Sequence, residues 1–219
     1  MKLVIFDLDG TLVDSLQDLA EATNHMRGQF GLPPLTAVRI RDFIGRGARE
    51  LVRQALEEAP GADLDAGLST FLTYNSDHIA AHTEPYPGVR ETLTQLQAPG
   101  RVFAVASNKT EALCRKLLGV LELDGFFAAV MGADSHVEKK PLPGPLLFLM
   151  QRFGALPHET VMVGDSINDI AAGRAAGVVT VGCSFGYGDF REIADADYRV
   201  TAFHQIAELP PFRGGPAGS

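Results

Sequence analysis

Cysteine is scarce in this chain, and a basic excess and long apolar runs are missing altogether. Only Cys114 and Cys183 occur in 219 residues, with no close pair and no CxxC spacing. That usage argues against a disulfide framework and fits two free thiols in a reducing compartment. Lys and Arg number 19 against 27 Asp and Glu, a net charge of −8. A general surface for nucleic acid or anionic lipid, which needs a basic excess, is therefore not expected. Small anionic ligands stay compatible, because a local cluster of donors can sit within an acidic whole. No apolar run approaches the roughly 18 residues of a membrane-spanning helix. Met1-Lys2-Leu3 leads straight into the first apolar run, leaving no room for a signal peptide, so the expected compartment is the cytoplasm. With 46% hydrophobic and 21% charged residues, the composition is that of an ordinary globular protein. The length fits one core domain with a modest insertion.

Along the chain, Leu3 to Phe6 reads as a short buried strand that stops at Asp7-Leu8-Asp9-Gly10-Thr11. Asp14 or Ser15 can cap a helix to about Phe30, and Thr36 a second over Ala37 to Ile44. Helices over Ala48 to Ala59 and Leu64 to Ala81 follow, and no strand is expected between Asp14 and Glu84. Pro85-Tyr86-Pro87-Gly88 marks the return to a different pattern. From there strands (Val102–Ala106, Phe127–Met131, Thr160–Val163, Val178–Gly182, Tyr198–Val200) alternate with helices (Val89–Leu96, Thr110–Leu118, Pro145–Phe153 and one ending at Ala176). This alternation predicts an α/β fold with a parallel sheet covered on both faces. The closing Pro- and Gly-rich segment, 210–219, is expected to be a disordered tail.

Polar residues gather where the apolar runs stop: Asp7 and Asp9, then Ser107 and Asn108, then Asp165 and Asp169, with Lys140 in an adjoining loop. In open α/β sheets ligands bind beyond the carboxyl ends of the strands. Carboxylates from two strands make a hard, all-oxygen site suited to Mg²⁺. A lysine and a hydroxyl beside it suit phosphoryl oxygens, and an aspartate can act as nucleophile toward phosphorus. Each piece alone has a bland reading, as an Asp-rich turn, a helix start or a solvated charge.

Together the pieces resemble the four motifs of the haloacid dehalogenase superfamily: Asp7-Leu8-Asp9-Gly10-Thr11-Leu12-Val13-Asp14-Ser15, then Ser107, then Lys140 before Pro141-Leu142-Pro143, then Gly164-Asp165-Ser166-Ile167-Asn168-Asp169. The resemblance implies a Rossmann-like parallel-sheet core (1–13 and 85–209) with an inserted all-helical C1 cap (14–84). It implies that Asp7 is the nucleophile and becomes phosphorylated, and that Asp9 is general acid and then base. Mg²⁺ would be held by Asp7, the Asp9 backbone and Asp165, with Asp169 as a ligand or as support for one. Ser107, Asn108 and Lys140 would hold the phosphoryl group. The implied partner is a small phosphorylated substrate, met by a monomer or homodimer.

Within that superfamily, Asp9 argues against a dehalogenase, and the missing transmembrane helices against a P-type ATPase. The lack of any lysine between Lys2 and Lys109 excludes Schiff-base chemistry from the cap. The cap segment around Gly45-Arg46-Gly47 is similar to that of phosphoglycolate phosphatases; this Gly-flanked loop is expected to face the active site, with Arg46 either pairing a substrate carboxylate or standing as a surface arginine at a helix start. Arg49 and His25 are further cap candidates. Other substrates on the same motifs are sugar phosphates such as N-acetylmuramate 6-phosphate, pyrophosphate and nucleotides, and a sugar phosphomutase also keeps both aspartates. From another class, a response-regulator receiver is a phospho-acceptor without hydrolysis; it lacks the helical stretch and a second carboxylate placed like Asp9.

Overall fold

The structure, a computed structural model, describes residues 1–213. In chain order, β1 (Leu3–Phe6) and β2 (Val13–Asp14) precede four helices, α1 (Leu16–Gln29), α2 (Ala37–Arg41), α3 (Ala48–Ala55) and α4 (Leu64–Asp77). β3 (Glu84–Pro85), α5 (Val89–Leu96), β4 (Val102–Ala106), α6 (Glu111–Val120), β5 (Ala129–Met131) and α7 (Gly144–Phe153) follow. The chain continues through β6 (Thr160–Gly164), α8 (Ile167–Ala175), β7 (Val179–Cys183), β8 (Tyr198–Val200) and a single turn, α9 (Pro210–Arg213).

A strand apolar at every position needs cover on both faces, and β1 has it. Its alternate residues enter different cores: Val4 and Phe6 pack with α5 and α6, Leu3 and Ile5 with α7 and α8. Burying each such side chain contributes about 1.5–3 kcal/mol. The six strands run β5-β4-β1-β6-β7-β8, all parallel, which puts the first-made strand in the middle. All carboxyl ends therefore open on one edge of the sheet, with β1, β4 and β6 side by side.

The helices α1 to α4 form a layer of their own over that edge, around Leu19, Met26, Val52 and Phe71. Arg27 is fully buried within it, donating to the carbonyls of Pro33 and Ala55 and pairing with Glu58.

Several boundaries differ from expectation. The chain leaves and re-enters the core through a two-stranded antiparallel ribbon, β2 with β3 (Val13 opposite Pro85, Asp14 opposite Glu84), where no strand was expected. Two-residue strands carry no alternation to read. The fourth helix stops at Asp77 instead of Ala81, because the Asp18 carboxylate takes the backbone N–H groups of His82 and Thr83 (both 2.9 Å) and draws the chain toward β3. The expected tail is shorter at its start: residues 210–213 make a helical turn that packs Phe212 into the core. Residues 214–219 lie outside the described ones.

Candidate active site

β1 hands its polar residues directly to the open edge. The Asp7 N–H still bonds Val163 O on β6 (2.9 Å), so Asp7 extends the strand by one ladder position. The loop then hangs on one acceptor, the Leu8 carbonyl, which takes the N–H groups of Thr11, Leu12 and Val13. Gly10 turns this loop at φ +86°, and a Cβ there would strike the Asp165 carboxylate and the Tyr187 ring. β4 delivers Ser107 and Asn108 in the same way, and β6 delivers Asp165.

Lys140 is the buried cation of the cluster. Its Nζ lies 3.0 Å from Asp7 Oδ1 and 2.5 Å from Asp169 Oδ1. Its neighbour Lys139 points away, donating to the Arg46 carbonyl at 3.2 Å. Asp169 is held in place as well, since Ser166 N and Oγ donate to its second oxygen at the start of α8. Asp165 accepts from Thr11 Oγ1 (3.0 Å) and from the N–H groups of Tyr187 and Gly188 (2.7 and 3.3 Å).

Three carboxylates around one lysine leave the cluster short of positive charge. Burial, only partly offset by Lys140, pushes Asp7 up to about 6. Burial, and then repulsion from Asp169 and Asp7, pushes Asp165 up to about 8. Burial works against the charge on Lys140 as well, but Asp169 and Asp7 outweigh it and hold its pKa above the usual value. Asp7 Oδ1 is off hydrogen-bond geometry to Lys140 and is buried without a hydrogen bond. Ligand atoms of Asp7, Asp165 and Asp169 lie within 4.8 Å of one another. A small hard dication fits these donors: it would satisfy the orphaned oxygen and relieve the repulsion.

Asp9 stands apart from that cluster. Its carboxylate accepts from Ser15 Oγ (2.6 Å) and from Lys109 Nζ (3.1 and 3.2 Å to its two oxygens). Ser15 is steadied in turn by its N–H on the Tyr187 hydroxyl (2.5 Å), and that hydroxyl donates to Asp14. Ser107 Oγ accepts from Lys109 N (3.3 Å), and the Asn108 amide donates to the carbonyls of Gly45 and Lys140 (both 2.8 Å). The Gly45-Arg46-Gly47 loop of the helical layer is thus seated on the end of β4.

Two spaces meet at Asp7 and Asp9. An outer cleft runs past Asp165, Asn168, Tyr187 and Arg46. An inner cavity lies under the helical layer, lined by Gly45, Gly47, Asn75 and Lys109 among apolar side chains. The structure therefore brings Asp7, Asp9, Ser107, Asn108, Lys140, Asp165 and Asp169 to one place, with Gly45 and Gly47 above them. Arg46 is exposed on the outer side. Arg49 pairs with Asp65 and His25 stacks on Tyr74, both away from the site.

Lys109, Tyr187 and Asn75 were not anticipated. Lys109 could have been, since it directly follows Ser107-Asn108 at a strand end. Tyr187 sits in a Gly-flanked loop after β7, a weaker form of the same signal. Asn75, in mid-helix, offered none.

The haloacid dehalogenase-like hydrolase profile matches residues 4–183. The chain is 41% identical to a phosphoglycolate phosphatase of Chromobacterium violaceum, over 95% of this chain and 96% of that one. It is 40% identical to a phosphoglycolate phosphatase of Neisseria meningitidis, over 90% and 86%. Among solved structures, one described as a predicted phosphoglycolate phosphatase from Haemophilus somnus superposes with a TM-score of 0.89 at 32% identity, covering 95% of this chain and 97% of that one.

Proposed function

The chain belongs to the haloacid dehalogenase-like hydrolase family, and we propose that it is a Mg²⁺-dependent phosphatase whose substrate is 2-phosphoglycolate. The observation that carries this reading is the buried Asp7 carboxylate, with one oxygen unbonded, between Lys140 and the paired Asp165 and Asp169. The names and the roughly 40% identity of the relatives support the substrate.

In this reading Asp7 attacks phosphorus, the bond from phosphorus to the leaving oxygen breaks, and Asp9 gives that oxygen a proton. Water then loses a proton to Asp9 and attacks the aspartyl-phosphate, releasing inorganic phosphate and restoring Asp7. Lys140, Ser107 and the Asn108 backbone hold the phosphoryl oxygens. Asp7, the Asp9 carbonyl and Asp165 would hold Mg²⁺, with Asp169 fixing Lys140 beside them. When bound, the ion supplies charge that lets Asp7 stay ionised beside a phosphate dianion. Residues 14–84 act as a cap that excludes bulk water, over a core of 1–13 and 85–209. We place the enzyme in the cytoplasm, as a monomer or homodimer; both cysteines are buried free thiols, which suits a reducing compartment.

Phosphate release from 2-phosphoglycolate tests this directly. Turnover should need Mg²⁺, stop with EDTA, and fall by about a thousandfold or more in Asp7→Asn, as for removal of other enzymic nucleophiles. Release that survives Asp7→Asn would reject the nucleophile.

A further inference from the structure

The two spaces around Asp7 and Asp9 differ in what they offer a substrate. Asp165, the candidate metal ligand, lines the outer cleft and not the inner cavity. Lys109, which grips Asp9, lines the inner cavity and not the cleft. Asp9 borders both spaces, and a leaving group that extends on the side of Asp9 carrying Lys109, away from Asp165, enters the inner cavity.

Away from the end of β4 the walls of that cavity are largely apolar, including Leu19, Phe43, Leu51 and Phe71. Beyond the reacting carboxylates and the Ser107-Asn108 pair, three polar side chains line it: Thr110, Lys109 and Asn75. Lys109 keeps only 7% of its side chain exposed, and one ammonium cannot spend all three donors on Asp9. Asn75, on α4, is 2% exposed and presents its amide to the same cavity. A side-chain amide that faces a cavity can pair with a ligand that enters it. The cavity, open on one side, leaves about 50 Å³ for water-sized spheres. A water needs about 10–15 Å³ on the same measure, so the space favours a short leaving group of a few heavy atoms.

We propose that Asn75 of the cap and Lys109 of the core together receive the leaving-group end of the substrate, and that this end is a short carboxylate. The inference rests on the phosphatase reading above and assigns its selectivity to these two residues. The Asn75 amide N–H and the free ammonium protons of Lys109 would meet the carboxylate oxygens, clamping cap to core only when the substrate is present. Arg46, exposed on the outer cleft, is on the wrong side of Asp9 for this contact.

The test compares kcat/KM for 2-phosphoglycolate with that for 2-hydroxyethyl phosphate, in which a hydroxymethyl group replaces the carboxylate. Wild type, Asn75→Ala, Asn75→Asp, Arg46→Ala and Asp7→Asn are measured with Mg²⁺. The preference for phosphoglycolate should fall by about tenfold or more in Asn75→Ala, as expected for losing a hydrogen bond to a charged group. It should fall further in the near-isosteric Asn75→Asp, where like charges face each other, and less in Arg46→Ala. With the wild type alone, glycolate should inhibit 2-hydroxyethyl phosphate turnover more strongly than ethylene glycol does. An unchanged preference in both Asn75 variants, a larger effect of Arg46→Ala, or no advantage of glycolate overturns the proposal while leaving the phosphatase reading intact. So does a wild type that hydrolyses only 2-hydroxyethyl phosphate. Turnover of both substrates by Asp7→Asn removes the phosphatase reading, and the proposal with it.

Discussion

Asp7 and Asp165 hold their protons in the folded chain to about 6 and about 8, well above the usual carboxylate range, chiefly because they are buried. Between pH 4 and 8 the folded state therefore binds more protons than the unfolded state, and stability falls as pH rises. Lys140 stays charged throughout that window and does not change the sign. Metal-free protein in EDTA should melt at a lower temperature at pH 8 than at pH 5.5. Added Mg²⁺ should raise the melting temperature, and by more at pH 8, where the carboxylates it neutralises are ionised. A flat profile in EDTA would contradict the burial argument. These two residues were legible in the sequence because strand ends in a parallel sheet all open on one edge. Lys140 was legible for its place before Pro141-Leu142-Pro143. Asn75 and Tyr187 were not, because each reaches the site only through the packing of the cap on the core or of one loop on another.

At the scale of elements, apolar runs bounded by polar residues placed β1 and β4 to the residue, and β8 close to its position. Helix ends were less legible, as they are set by side chains from elsewhere, such as Asp18 at the end of α4. β5 begins at Ala129, two residues after the expected Phe127, because a 3₁₀ turn over Asp124–Phe126 occupies the approach. Phe127 packs instead edge-on against Phe6, with ring centroids 6.2 Å apart. Arg27 is the cap's internal tie, joining α1 to the segment after it and to the end of α3. Arg27→Met should destabilise the protein by about 2 kcal/mol, the order expected for lost hydrogen bonds to a charged group. Glu58 is 62% exposed and can be rehydrated, which keeps the loss from being larger. Urea denaturation would measure it, and an unchanged midpoint would mean that the cap repacks around the methionine.

At the scale of the molecule, the cap rests on the core through a handful of polar contacts. Asn108 and Asn168 donate to Gly45 O, Lys139 to Arg46 O, and Lys116 to the Ser76 carbonyl at 2.7 Å. Exposed lysine contacts of this kind are worth little each. The double variant Lys116→Ala, Lys139→Ala should therefore keep its melting temperature within a few degrees while amide exchange in the loop around Gly45 and at the end of α4 speeds up several-fold. Unchanged exchange would show that apolar contacts alone hold the cap down.

The position of β1 sets a schedule. It is the first strand to be made and the middle strand of the sheet, yet Leu3 pairs with Val102 on one side and Thr160 on the other. On the ribosome, the helical layer is complete before either neighbour exists, and β1 must wait, with its apolar residues uncovered, until more than half the chain has been synthesised. Such distant pairings make for slow folding. The interval between translation of the cap and arrival of β6 is thus when this chain is most exposed to aggregation and most open to help from a chaperone.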